Sequence, residues 1–330
     1  MLFAALVATT ISVDSYAVHA QQTGNAPSRI SAIQCGALAR DADAPQLNWR
    51  GNVLQWTEWP VVLGARAVSA RIVVVRFDPR AVRLSLDLAR DGDAIGGWTL
   101  DRAPNDALLA LNAGQFTDAG PWGWVVHRGR EWQTPGAGAL AGALVVDGTG
   151  TVSVIDANDI GARRRDTNAR VSEALQSYPT LIGGNGAPPS LVCDVATRDA
   201  LLDRTHRDAR LAIGTLADGR VVVAMSRYAG VGALAERLPV GPTTPEMAEI
   251  MRRLGAIRAL MLDGGLSAQM LVRETAGGVA TQWPGLRGVP LALIGRIRQG
   301  DSAATRPTTE AGGAAGTHAR RASFRSHDQQ

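Results

Sequence analysis

The residues of this 330-residue chain best suited to chemistry sit in three short segments. The first is Asp263-Gly264-Gly265-Leu266-Ser267, which follows the apolar run Ile257 to Leu262. A carboxylate at the C-terminal end of a strand faces the crevice where ligands of sheets with helical crossovers collect. The two glycines after it allow close backbone approach and can turn successive N–H groups toward an anion, and Ser267 adds a hydroxyl. The plain alternative is a turn with a capping aspartate. The second segment, Asn112-Ala113-Gly114-Gln115-Phe116 with Asp118 beyond it, repeats the pattern after the run Ala107 to Leu111. The third is Arg210, opening the run Leu211 to Thr215. Its guanidinium fork suits a phosphate or carboxylate, although a lone arginine there also reads as a solvated edge residue.

Composition removes several chemistries. All 34 basic residues are arginine, so a lysine Schiff base, a lysine-anchored pyridoxal enzyme and a lysine-dependent P-loop are excluded. Of five histidines, His19, His318 and His327 lie near the ends, and His127 and His206 alone cannot build a three-histidine zinc site. Cys35 and Cys193 suit one disulfide in an exported protein or two unrelated thiols. The net charge of +4 is modest, and part of it sits at Arg320, Arg321 and Arg325, which gives little support for a nucleic-acid partner.

The run Leu2 to Val13, with Val18-His19-Ala20 before Gln21, reads as a signal peptide over residues 1–20, although no positive n-region precedes it. This predicts a periplasmic or secreted protein with no membrane span once the signal is removed. From 299 to 330 large apolar side chains nearly vanish, which predicts a disordered tail. Residues 21–298 are expected to form one domain.

Runs rich in β-branched residues predict strands at Arg71 to Phe77, Val82 to Leu88, Ala107 to Leu111, Ala143 to Val146, Val152 to Ile155, Leu211 to Thr215 and Val221 to Met225. Asp147-Gly148 and Asp218-Gly219 lie between pairs of these runs as hairpin turns, so the sheet is at least partly antiparallel. A helix is predicted from a Thr244 cap and Pro245 to an exit at Gly255, with Met247, Ile250, Met251 and Leu254 as its core stripe.

Four segments in order raise the specificity of these signals. Asn112-Ala113-Gly114-Gln115-Phe116, Tyr178-Pro179-Thr180-Leu181, Arg210-Leu211-Ala212-Ile213-Gly214-Thr215 and Leu262-Asp263-Gly264-Gly265-Leu266-Ser267 stand in the places of NAGFF, FP-L, RTAIG and LDGGGS. In them the chain resembles the phosphodiester glycosidase family. The resemblance implies an α/β (α+β) domain with a large twisted mixed β-sheet and flanking helices. It also implies hydrolysis of a sugar joined through its anomeric carbon to a phosphodiester, such as an N-acetylglucosamine 1-phosphodiester. By motif position Asp263, Asn112 and Arg210 inherit catalytic places. Gly114, Gly264, Gly265 and Ser267 inherit substrate-binding places, and Arg287 does so more loosely. The chain departs from the pattern at Gln115, where the family carries an aromatic, and at Leu266, which replaces a third glycine. The first removes a stacking face and the second narrows close backbone approach.

The resulting expectation is that Arg210 and Arg287 clamp the departing phosphate with help from the Gly264 and Gly265 N–H groups. Asp263 then serves the oxocarbenium-like centre as nucleophile or base, Asn112 orients a sugar hydroxyl or water, and Asp118 is either the second, substrate-binding carboxylate or part of a plain Asp-Ala-Gly-Pro turn. No cofactor is identified, although the oxygens of Asp263, Asp118 and Asn112 suit a hard cation such as Ca²⁺. Trp122, Trp124 and Trp132 offer stacking surfaces or core packing, and His127 reads as structural. The partner is a sugar phosphodiester or glycan. Two rivals remain: a serine hydrolase through Ser267, which lacks Gly-x-Ser-x-Gly, and a glycan-binding envelope protein without chemistry.

Overall fold

The computed structural model describes residues 27–32, 44–64, 67–91, 94–168, 170–189, 192, 205–230 and 235–298. The predicted signal peptide, the tail 299–330, Cys35 and Cys193 lie outside these residues. The architecture is a large curled mixed sheet with few helices, an α+β arrangement. Among the described residues its ladders divide into one seven-stranded sheet, two five-stranded sheets and two two-stranded ribbons.

The seven-stranded sheet runs in the order Ser28–Ile30, Leu54–Leu63, Val68–Phe77, Val221–Tyr228, Leu211–Leu216, Ala256–Met261 and Thr180–Ile182. Only its first pair is parallel. The second sheet joins Ala280–Trp283, Met270–Arg273, Ala107–Asn112, Leu291–Ile297 and Val82–Leu88. The third joins Arg130–Gln133, Val125–His127, Val171–Ser177, Gly142–Asp147 and Val152–Asp156. Both hairpins expected at Asp147-Gly148 and Asp218-Gly219 are present.

Side-chain alternation sorts each strand of the large sheet between two cores. Val73, Val75, Leu211, Ile213, Val223 and Leu260 face a central core shared by all three sheets. Their neighbours Ile72, Val74, Ala212, Val222 and Ala259 face a second core, closed by the helix Thr244–Arg253. With both faces buried, these strands read as near-continuous apolar runs.

That helix begins one residue earlier than predicted. Thr243, not Thr244, is the N-cap, and with Glu246 it forms a reciprocal capping box; Pro245 follows in the first turn. Met247, Ile250 and Met251 are fully buried against the sheet. Glu246 also anchors the preceding loop, because both of its oxygens accept from the Arg207 guanidinium, at 2.7 and 2.9 Å. The fork also donates to Gly241 O. The segment entering strand Leu211–Leu216 is thereby fixed to the helix start.

Because Glu246 is buried, removing it strands a guanidinium and opens the cap together. Glu246→Ala is expected to cost about 3 kcal/mol, and Thr243→Ala about 1 kcal/mol. Urea denaturation midpoints check both values.

Candidate active site

The ends of five strands meet at one end of the central core. Asn112 pairs with Ala292, Leu111 with Met270, and Met261 with Ala212. Backbone bonds then tie all four motif segments to the turn after Met261. Asp263 N donates to Ala113 O, Met261 N to Pro179 O, Leu262 N to Leu211 O and Gly265 N to Ala209 O. Residues more than 150 positions apart in sequence therefore form one constellation.

Asn112 fastens it. Fully buried, the side chain donates from Nδ2 to Asp263 O at 2.8 Å and accepts at Oδ1 from Gln269 N at 2.9 Å. Sequence placed this amide against substrate. The geometry instead commits it to the backbone on either side of the Asp263 turn, so Asn112 is a positioning residue.

The glycines act in the same structural sense. A Cβ at Gly264 would lie 2.4 Å from Ala209 O, a distance no side chain tolerates. Gly265 has φ +58°, and a Cβ there would lie 3.1 Å from an Asp208 oxygen. Their N–H groups are already engaged within the protein: Gly265 N–H is spent on Ala209 O, and Gly264 N–H bonds the Asp263 carboxylate. A Cβ at Gly114 would crowd Gln176 O at 3.0 Å, so this glycine lets the Asn112 turn lie against strand Val171–Ser177. Leu266 does not narrow the approach, because it is 48 % exposed and the close contact falls at Gly264.

Asp263 carries the electrostatics. Its carboxylate is hydrogen-bonded by the Ser267 hydroxyl and Gly264 N–H, yet Oδ2 is shielded from solvent and has no partner. Burial pushes its pKa up to about 6, against the lowering effect of Ser267, Gly264 and Arg287, and the charge of Asp208 adds to the rise. Asp208, absent from the sequence expectations, is the second carboxylate of the site. It too is raised by burial, which Arg210 and His206 partly offset. Nothing marked it within Thr205-His206-Arg207-Asp208, which reads as a polar stretch.

Asp118 does not take that place; it is exposed in the turn joining Phe116–Thr117 to Gly120–Pro121. With Asp118 at a surface turn and the Asn112 amide held by backbone, the expected Ca²⁺ donor set does not assemble. Among the described residues no cluster of three His, Cys, Asp or Glu side chains is arranged to hold a metal.

The arginines separate in role. Arg210 donates from Nε to Pro242 O and from its terminal nitrogen to His206 O. It thus braces the Asp208 loop, with its Cα 3.6 Å from the position a Gly264 Cβ would take. Arg287 is exposed, lies 4.7 Å over the Phe116 ring, and exerts its charge on Asp263. Of the two, Arg287 is the exposed one, and the charge of Arg210 acts on Asp208. Gln115 replaces the family aromatic with an amide that donates to Tyr178 O and accepts from Ser177. Beside it Trp122 and Tyr178 pack edge to face at 5.3 Å. Trp124 is buried, whereas Trp132 is exposed under Arg130. His127 is structural as expected, paired through Nδ1 with buried Glu173 at 2.9 Å. Ser267 meets Asp263 rather than a histidine, which removes the basis for a serine hydrolase.

The phosphodiester glycosidase family matches the chain over residues 105–294, more than half its length, and the protein belongs to that family. Among solved structures, the catalytic domain of zebrafish N-acetylglucosamine-1-phosphodiester alpha-N-acetylglucosaminidase, auto-inhibited by its pro-peptide, superimposes with a TM-score of 0.55. The two are 16 % identical, over 78 % of this chain and 87 % of that one, which shows a shared fold. A hypothetical protein from Synechocystis matches at TM-score 0.48 and 16 % identity, over 78 % of this chain and 64 % of that one, so the chain spans under two thirds of that relative. An exported protein from Burkholderia pseudomallei matches at TM-score 0.48 and 18 % identity, over 70 % and 74 % of the two chains. No curated protein matches.

A carboxyl group raised in the folded state holds its proton more tightly there. The native state therefore loses stability relative to the unfolded chain as pH climbs from about 4 through about 6. Asp263→Asn removes that penalty. Its melting temperature is expected to exceed that of the unsubstituted protein at pH 8, with the gap shrinking toward pH 4, as scanning calorimetry at both pH values would record.

Proposed function

We propose that the protein hydrolyses the bond between the anomeric carbon of a sugar and a phosphodiester oxygen. Support comes above all from the unpartnered Oδ2 of Asp263, which sits beside Asp208 and within the field of Arg287. An orphaned, shielded carboxylate oxygen is costly in a folded protein unless a ligand or a proton completes it.

In this reading water attacks the anomeric carbon and gives its proton to Asp263. The C1–O bond breaks, its electron pair passes to the phosphate oxygen, and free sugar and a phosphomonoester are the products. A pKa near 6 leaves Asp263 ionised at neutral pH while making it a stronger base than a solvated carboxylate. Asp208 supplies the second negative charge that an oxocarbenium-like centre requires. Arg287 neutralises the departing oxygens, so little leaving-group protonation is needed. Trp122 and Tyr178 offer the sugar an aromatic wall near Gln115.

The zebrafish relative's activity makes N-acetylglucosamine the first sugar to try. The apolar start of the sequence favours export to the periplasm or medium, where an envelope or extracellular glycoconjugate would be the substrate. No helix among the described residues is long and apolar enough to cross a membrane.

The test is release of free N-acetylglucosamine from a sugar 1-phosphodiester such as UDP-N-acetylglucosamine. Activity is expected to rise with pH through about 6 as Asp263 ionises. Asp263→Asn should lower turnover at least about a hundredfold with the circular dichroism spectrum unchanged. An active Asp263→Asn variant would reject the assignment.

A further inference from the structure

Beside the Asp263 turn lies a cavity of about 180 Å³. It is lined by Arg237, Arg287, Gln269, Gln282 and Thr99, with the exposed Asp101 as its one carboxylate. The cavity is smaller than the usual site for a drug-sized ligand, so it suits a compact polar group. Its wall is the segment Pro284 to Gly288, and two arginines hold that segment from behind. Buried Arg227 donates to Pro284 O and Ala268 O, and Arg237 donates to Gly285 O.

Arg237 is more than a brace. It lines the cavity together with Arg287. The neighbouring carboxylate Glu236 is engaged by Arg71, which also meets Glu58. Two arginines against a single exposed carboxylate on one small polar cavity favour an anionic occupant. The cavity shares two residues with the active site. Arg287 lines it while acting on Asp263, and Gln269 lines it while its backbone N–H holds the Asn112 amide.

Resting on the proposed hydrolysis, we propose that this cavity binds a second phosphoryl group of the substrate, so that the sugar is released from a pyrophosphate-linked ester rather than from a simple diester. Arg287 meets the phosphoryl bonded to the anomeric oxygen, and Arg237 meets the next one.

Binding and turnover by the full chain separate this inference from the proposed function. In calorimetric titrations, inorganic pyrophosphate is expected to bind at least about tenfold more tightly than inorganic phosphate. Arg237→Gln should abolish that preference, and Arg237→Lys should restore part of it. Gln282→Glu, a change at an exposed position on strand Ala280–Trp283, should weaken pyrophosphate binding by repulsion and gives a second test should Arg237→Gln fold poorly. In turnover, Gln282→Glu should raise KM for UDP-N-acetylglucosamine about tenfold at constant kcat and leave the methyl phosphodiester of N-acetylglucosamine 1-phosphate unaffected. Equal affinity for phosphate and pyrophosphate, or pyrophosphate binding indifferent to both Arg237→Gln and Gln282→Glu, would overturn the inference. Selective pyrophosphate binding without sugar release from either substrate upholds the cavity's ligand and contradicts the hydrolysis.

Discussion

One buried amide holds the site together. Asn112 ends a strand of one sheet, and its side chain reaches the backbone of Asp263 and Gln269, on a turn that leaves another sheet. Each bond satisfies a polar group that would otherwise be unpaired in the interior, so geometry and stability are enforced together. The Gly264 and Gly265 turn can form only because no Cβ intervenes against Ala209 and Asp208. The carboxylates, arginines and aromatics take their places from that junction.

On this scaffold two carboxylates are brought together in surroundings that disfavour their charge. Burial opposes ionisation of both Asp263 and Asp208, while Ser267, Gly264, Arg287 and Arg210 restore part of the lost solvation. For Asp263 the balance falls near neutrality, where a carboxylate is both charged and basic. The ion pair of Arg207 with Glu246 fixes the neighbouring loop to a helix start, so the position of Asp208 depends on a contact outside the site. Functional sites commonly carry such local costs, and the surrounding fold sustains them.

Much of the fold was legible because its strands are β-branched runs between Asp-Gly turns, and the four motif segments announced the junction. Strand Leu54–Leu63 escaped notice because Pro60 and Glu58 interrupt its apolar pattern. Strand Val171–Ser177 escaped because Glu173 and Gln176 look like surface residues. Both are buried with partners supplied by distant chain, Glu173 by His127 and the Leu86 N–H, Gln176 by the Trp124 and Gly136 N–H groups. Asp208 was hidden for the same reason: its charge is unremarkable until folding places it against Gly265. The roles of Asn112, Arg210 and the glycine N–H groups were misplaced because sequence gives residue type without direction. The Asn112 amide and the Gly265 N–H bond backbone, the Gly264 N–H bonds the Asp263 carboxylate, and Arg210 braces backbone carbonyls while its charge acts on Asp208.

The central claim is spatial: an anionic sugar ester rests at the junction of the four segments, with its anomeric carbon toward Asp263. A crystal structure of the protein soaked with N-acetylglucosamine 1-phosphate tests it most directly. The account predicts the ring beside Trp122 and Tyr178, the anomeric carbon toward the Asp263 carboxyl group, and the phosphate against Arg287. A ligand bound away from Asp263, or a phosphate turned from Arg287, would contradict it.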